Sequence, residues 1–146
     1  MSATFLVDLA HTLEGDVSIA PQNYSTAGTK TGSFVDLLGS DGPVHAFVMT
    51  GDCGDADTSF YVKLQESVDG TNDITDVADS TSSTYSGASG MDNLLFAVST
   101  NKRTKRYVRA AVVIATSGTA DVDIAVGVFG RKKIAGSGAG TYTTVS

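Results

Sequence analysis

Tryptophan is absent from this chain of 146 residues, cysteine occurs once, proline twice and histidine twice. One thiol, Cys53, excludes an intrachain disulfide and a cysteine-rich zinc site, and reads as a small buried hydrophobe. Without tryptophan the chain lacks the strongest stacking surface for a sugar ring or a base, although Tyr24, Tyr61, Tyr85, Tyr107 and Tyr142 leave a carbohydrate platform open. No apolar run approaches the roughly 20 residues of a membrane helix. Phe5-Leu6-Val7 is cut off by Asp8 and preceded by no basic residue, so no secretory signal is read there, and synthesis in a cytoplasm is expected. Basic residues are also scarce: 10 Lys and Arg against 16 Asp and Glu give a net charge of -6. Such a surface repels nucleic acid and anionic membranes, so neither is an expected partner.

What the chain has in quantity is Gly, Ser, Thr, Asp and Val. Val and Thr are stiff at χ1 and favour extended backbone, while Gly and Asp end it. In 58–77, Phe60, Val62 and Leu64 alternate with Tyr61, Lys63 and Gln65, the period of a strand with one buried face. In 106–130, Val108, Ala110, Val112 and Ile114 alternate with polar or small residues as far as Ser117-Gly118-Thr119. Val122, Ile124, Val126 and Val128 then resume the pattern, which reads as a β-hairpin. Phe60, Val62, Leu64, Val112, Ile114, Ile124 and Val126 are therefore the expected core.

Other strands are expected at Ser33–Leu38, Val44–Thr50, Ile74–Val77 and Leu94–Ser99. Val44–Thr50 is apolar on both faces apart from His45, which marks a central strand. Pro21 to Gly32 reads as a loop or irregular edge, Ser40-Asp41-Gly42-Pro43 as a turn, Asp69-Gly70 as a tight turn, and 78–92 as a long exposed loop. About seven or eight strands spaced by turns point to an all-β protein, an antiparallel β-sandwich of jelly-roll or Greek-key kind. Three regions are expected: an N-terminal arm over 1–20, the sandwich over 21–133 and a flexible C-terminal tail over 134–146. The arm carries Phe5, Leu9 and Leu13 at helical spacing, though extended chain fits as well, and the tail carries Tyr142. These apolar residues have no assured place in one sandwich. They are expected to reach a neighbouring subunit or another partner, and a chain lacking 1–20 is expected to keep its β domain.

No nucleophile elbow or triad spacing surrounds His11, His45 or Cys53, and no enzymatic activity is expected. Asp52, Asp55 and Asp57 lack the ligand order and distal Glu of a calcium loop, so no metal and no cofactor is expected. Glu66 is the carboxylate best placed for chemistry and is read instead as a cross-strand partner of Arg109 or Lys63. Lys102, Arg103, Lys105, Arg106 and Arg109 form one basic cluster, and Arg131, Lys132 and Lys133 a second. On an acidic protein they suit either an acidic face of a partner or the charged protection of edge strands.

Three segments in order carry a resemblance: 35–42; then 61–77, with Leu64-Gln65-Glu66-Ser67 before Asp69-Gly70; then 105–133, with Lys105–Arg109 before Gly118-Thr119. Together they resemble the small β-sandwich structural proteins encoded in the virion modules of tailed bacteriophages and prophages. The resemblance implies a capsid decoration or cement protein, made in the host cytoplasm and located on the virion capsid surface, with the major capsid protein as partner. It brings no family site residues. Holding a lattice by several equivalent contacts calls for self-association, for which a trimer fits three-fold lattice points. A tail-associated virion component and a carbohydrate-binding or adhesive β-sandwich are the alternatives.

Overall fold

Strands with one apolar face each must bury those faces against one another, and this chain does so by stacking two antiparallel sheets. The computed structural model describes residues 13–133. Its strands are β1 (Leu13–Tyr24), β2 (Gly28–Thr31), β3 (Val35–Asp36), β4 (Ser40–Thr50), β5 (Ser59–Ser67), β6 (Thr75–Thr81), β7 (Tyr85–Ser86), β8 (Leu95–Thr100), β9 (Tyr107–Ala115) and β10 (Val122–Lys132). A helical turn, α1 (Ala88–Met91), sits between β7 and β8. One sheet, called A here, has the order β1-β10-β4-β8, and the other, B, has β2-β9-β5-β6, with β3 beside β9 and β7 beside β5. The pairing is nested, β1 with β10, β2 with β9, β4 with β8 and β5 with β6. A long hairpin rolled up in this way is a jelly roll.

The core lies between the sheets. From B come Phe60, Val62 and Leu64 of β5 beside Val108, Ala110, Val112 and Ile114 of β9; from A come Val44, Ala46 and Val48 of β4 beside Val122, Ile124, Val126 and Val128 of β10. All seven residues expected in the core are at most 2% exposed. Cys53 is also fully buried, and burial pushes its thiol pKa up.

Several expectations are corrected. The residues 106–130 are not a hairpin: β9 lies in B and β10 in A, and the intervening residues carry the chain across the sandwich. The two strands meet face to face through their buried side chains, not edge to edge through hydrogen bonds. The N-terminal arm does not extend to residue 20, because Leu13–Ala20 belongs to β1 and pairs with β10. Deleting 1–20 would strip most of a sheet strand. Phe5, Leu9 and His11 lie outside the described residues, as do Tyr142 and the whole tail.

Pro21–Gly32 is likewise mostly strand. Register shifts at Val17/Ile19 and Ile19/Gln22 turn β1 toward sheet B. There the buried Ser18 hydroxyl accepts from Ala110 N at 2.9 Å and donates to Ser33 O at 2.9 Å, stitching one side of the sandwich. Ser40-Asp41-Gly42-Pro43 opens β4 instead of forming a separate turn. Gly42 has φ 74°, and the register jumps between Gly130 and Arg131 of β10. This is a bulge, where proline's missing N–H leaves no ladder bond unmade.

The expected loop over 78–92 holds the end of β6, β7 and α1. Its serines stand in for ladder partners: Leu64 N donates to Ser80 Oγ at 3.2 Å and Val62 N to Ser82 Oγ at 3.0 Å. Much of the segment is exposed as expected, but Ser80 and Ser82 give it hydroxyl-mediated pairing with β5. The expected strand Ser33–Leu38 shrinks to Val35–Asp36, with Leu37 buried and Leu38 60% exposed.

Leu64 is fully buried at the middle of this arrangement, opposite Ala110. Leu64→Ala is expected to lower the unfolding free energy by about 2–5 kcal/mol through lost transfer energy and the cavity left behind. Chemical denaturation of a verified two-state form checks it, and a loss below about 1 kcal/mol would put Leu64 outside the working core.

Candidate interaction face

The outer faces of the two sheets differ in kind. On sheet B, Lys63 pairs with Asp76 at 2.7 Å, Gln65 accepts two bonds from the Arg109 guanidinium at 2.9 and 3.1 Å, and Arg109 lies 4.6 Å over the Phe34 ring. Hydrogen bonds from Lys63 and Gln65 hold the Asp76 carboxyl below its ordinary range, and burial lowers the Arg109 pKa. The charged and amide groups of that face are paired, beside half-buried Tyr61 and Val113, which lie opposite each other.

On sheet A the register builds three uncharged rows across the outer face. The first is Gly15, Phe129, His45 and Ser99; the second Val17, Gly127, Phe47 and Ala97; the third Ala125, Met49 and Leu95. Phe47 is 43% exposed, Val17 54%, Met49 59% and Leu95 72%. Phe129 meets Phe47 edge-on with ring centroids 5.6 Å apart. Glycine makes this possible: a Cβ at Gly127 would fall 2.6 Å from the Phe129 ring, and one at Gly15 2.5 Å. The Phe129 ring therefore lies down over two glycines and fills the groove they leave. Asn23 closes one end of the face, donating to Asp121 at 2.5 Å and Asp123 at 2.9 Å.

The signal for this face was in the sequence. The two-sided apolar pattern of Val44–Thr50 marked a central strand, and β4 is central in its sheet. Its second apolar face, however, is covered by no other layer among the described residues. Contiguous exposed apolar surface of this kind is a mark of an interaction site. Chemically the face can bind an apolar surface and exclude water. It arranges no nucleophile with a base and an orienting group: His45 Nδ1 and Ser99 Oγ are 2.7 Å apart on an open strand surface. Among the described residues no group of three or more His, Cys, Asp or Glu side chains could hold a metal ion. In the acidic loop, Asp55 caps Asp57 N at 2.9 Å and Asp57 accepts from Ser117 at 3.3 Å.

The two basic clusters converge at one end of the sandwich. Arg103, Lys105, Arg106 and Lys133 border a shallow depression of about 230 Å³ beside Leu37, Leu38 and Ser40. Arg131 and Lys132 are exposed there on β10, and Leu13 pairs with Arg131. Much of this charge is spent on the fold. Arg103 donates to Leu37 O, Ser40 O and Lys105 O; Lys105 Nζ donates to Asp73 O and Thr75 Oγ1; Arg106 pairs with Asp36, whose carboxyl it holds below the ordinary range, and lies over Tyr107.

Glu66 does not pair with Arg109 or Lys63, because alternation along β5 puts it on the buried side with Leu64, while Lys63 and Arg109 lie on the outer face. It turns instead to the basic loop, accepting from Thr104 N at 2.8 Å, Thr104 Oγ1 at 2.7 Å and Lys105 N at 3.1 Å. Burial pushes its pKa up, but the hydrogen bonds outweigh burial and the net shift is downward. A carboxyl depressed by folding contributes stability above its unfolded pKa of about 4.3 and loses it as pH falls through the folded value. The wild type is therefore expected to lose stability, relative to Glu66→Gln, as pH drops below about 4.3. Parallel urea titrations from neutral to acidic pH check it; a difference independent of pH would contradict the assignment.

The sequence matches no protein-family model and no curated protein. Among solved structures the chain is similar to the PBSX exported protein XepA, with TM-score 0.51 and 15% identity over 94% of this chain and 43% of that one. It is also similar to the infectious bursal disease virus VP2 subviral particle, with TM-score 0.52 and 10% identity over 82% of this chain and 32% of that one. The chain thus spans less than half the length of either, and what it shares with them is the fold.

Proposed function

We propose that the chain is a non-enzymatic structural component of a virion. It acts as a capsid decoration or cement protein, laying the outer face of sheet A on the lattice of the major capsid protein. The observation that carries this reading is the uncharged surface of Val17, Phe47, Met49, Leu95 and Phe129, opposite a sheet whose outer face carries the paired Lys63–Asp76 and Gln65–Arg109 groups. Burying such a surface against a partner yields roughly 25 cal/mol per Å² of apolar area, a gain that needs no charge complementarity. The jelly-roll likeness to a subviral particle and the resemblance of residues 33–133 to phage virion proteins support the same reading. The basic end, with Arg131, Lys132 and Lys133 exposed, supplies a second contact of opposite chemistry to the acidic remainder.

Phe47→Asp places a charge in the middle of the apolar face without touching the inner core. The variant is expected to fold, to keep its circular dichroism spectrum, and to lose co-sedimentation with empty capsids of the virus that encodes it by at least about tenfold, the equivalent of 1.4 kcal/mol. Capsid binding undiminished by Phe47→Asp would remove this face from the contact.

A further inference from the structure

Edge strands in folded proteins are guarded against pairing with other chains. In sheet B, β2 has four residues with Lys30 among them, and β6 carries Asp76 and Asp79, with Asp79 at φ 54°. In sheet A, β1 bends onto sheet B through Ser18. The other edge of sheet A is β8, Leu95–Thr100; its last residue is tied to sheet B, where Thr100 Oγ1 donates to Ala78 O at 2.8 Å, but from Leu95 to Ser99 it has no charge, no proline and no register shift against β4.

Its open groups can be placed. Thr50 N donates to Leu94 O at 3.0 Å, while the next residue of β4, Gly51, donates to Asp123 O of the opposite neighbour at 2.9 Å. Antiparallel alternation then points the main-chain groups of Phe96, Val98 and Thr100 at β4, and those of Leu95, Ala97 and Ser99 at the open edge. The side chains of these same three residues are exposed.

We propose that β8 pairs antiparallel with β8 of a second copy, about a two-fold axis through Ala97, joining the two A sheets into one. The register argues for a second copy over any other strand. With Ala97 opposite its own equivalent, Leu95 stands opposite Ser99 on the outer face and Phe96 opposite Val98 on the inner face, so both faces keep their character. The open groups of both chains are then used in full, in about six main-chain hydrogen bonds. Asp92 precedes the strand and Lys102 follows it, so antiparallel pairing brings unlike charges of the two chains to the same end. Asp92 Oδ1 is held by Cys53 N at 2.7 Å, and Lys102 is exposed. An isologous contact of this kind closes on itself and leaves no edge for fibre growth.

This deepens the proposed function and rests on it for its purpose. Pairing through β8 sets the two apolar outer faces side by side on one continuous sheet, doubling the surface offered to a lattice and raising avidity.

The test uses the full chain. Light scattering after size exclusion is expected to give about twice the 15.0 kDa of one chain for the wild type. Ala97→Lys and Ala97→Glu, each bringing two like charges together at the axis, are each expected to be monomeric and folded by circular dichroism. Mixing the two is expected to restore the dimer. Ala97→Cys, whose equivalents would lie about 5.5 Å apart at the axis, is expected to give a disulfide-linked dimer on mild oxidation. A monomeric wild type, a trimer indifferent to Ala97→Lys, a polydisperse aggregate, or a mixture that stays monomeric would each overturn the proposal. Capsid co-sedimentation separates the two readings. A wild-type dimer that ignores capsids contradicts the virion role alone, and a wild-type monomer that binds them contradicts the β8 pairing alone.

Discussion

Everything in this molecule follows from the contact between the inner faces of β5 and β9 on one side and β4 and β10 on the other. Phe60, Val62, Leu64, Val112 and Ile114 share one buried cluster with Val48, Ile124 and Val126, the driest surface open to either set. With the last two long strands held in opposite sheets by that contact, β9 draws in β2 and β5, and β10 draws in β1 and β4. The polar devices are then local repairs. Ser18 joins the layers on one side, Ser80 and Ser82 serve β5 where β6 bulges away, and Glu66 ties down the loop that launches β9.

Reading alternation from the sequence locates the buried faces well, because a period of two is a direct record of which side chains avoid water. It does not record which strand lies beside which. The runs 107–115 and 122–132 alternate in the same way whether they pair edge to edge or pack face to face, so the hairpin expected there and the crossing observed are indistinguishable by pattern. Turn chemistry misleads for a related reason. Gly42-Pro43 has the composition of a turn and the structure of a bulge, since both need a positive φ and tolerate a missing N–H. Leu13–Ala20 was read with the arm because Phe5, Leu9 and Leu13 fit a helical face and extended chain equally, which left no strand to recognise. Gly15 is in fact required small, beneath Phe129.

The candidate face was half legible. Phe47 and Met49 counted only toward the two-sided apolar pattern of a central strand, and their company depended on register. Phe129 and Leu95 are 82 and 46 residues away from Phe47 and Met49 in the chain and reach the same surface only through the β10 and β8 ladders. The basic residues were legible as clusters and misleading as a site, because Arg103, Lys105 and Arg106 bond mainly to neighbouring carbonyls and Asp36. Charge counted along a sequence does not distinguish a binding group from a strut.

One sheet of the molecule bears paired charged and amide groups on its outer face and the other an uncovered apolar surface, which we propose a capsid lattice covers. Cryo-electron microscopy of purified particles carrying this protein tests that most directly. Sandwich-shaped density is expected on the head, with the outer face of β4 and β10 against the major capsid protein and the Lys63–Asp76 face toward solvent. Density on the tail, or a head-bound sandwich with Phe47 and Met49 facing solvent, would contradict it.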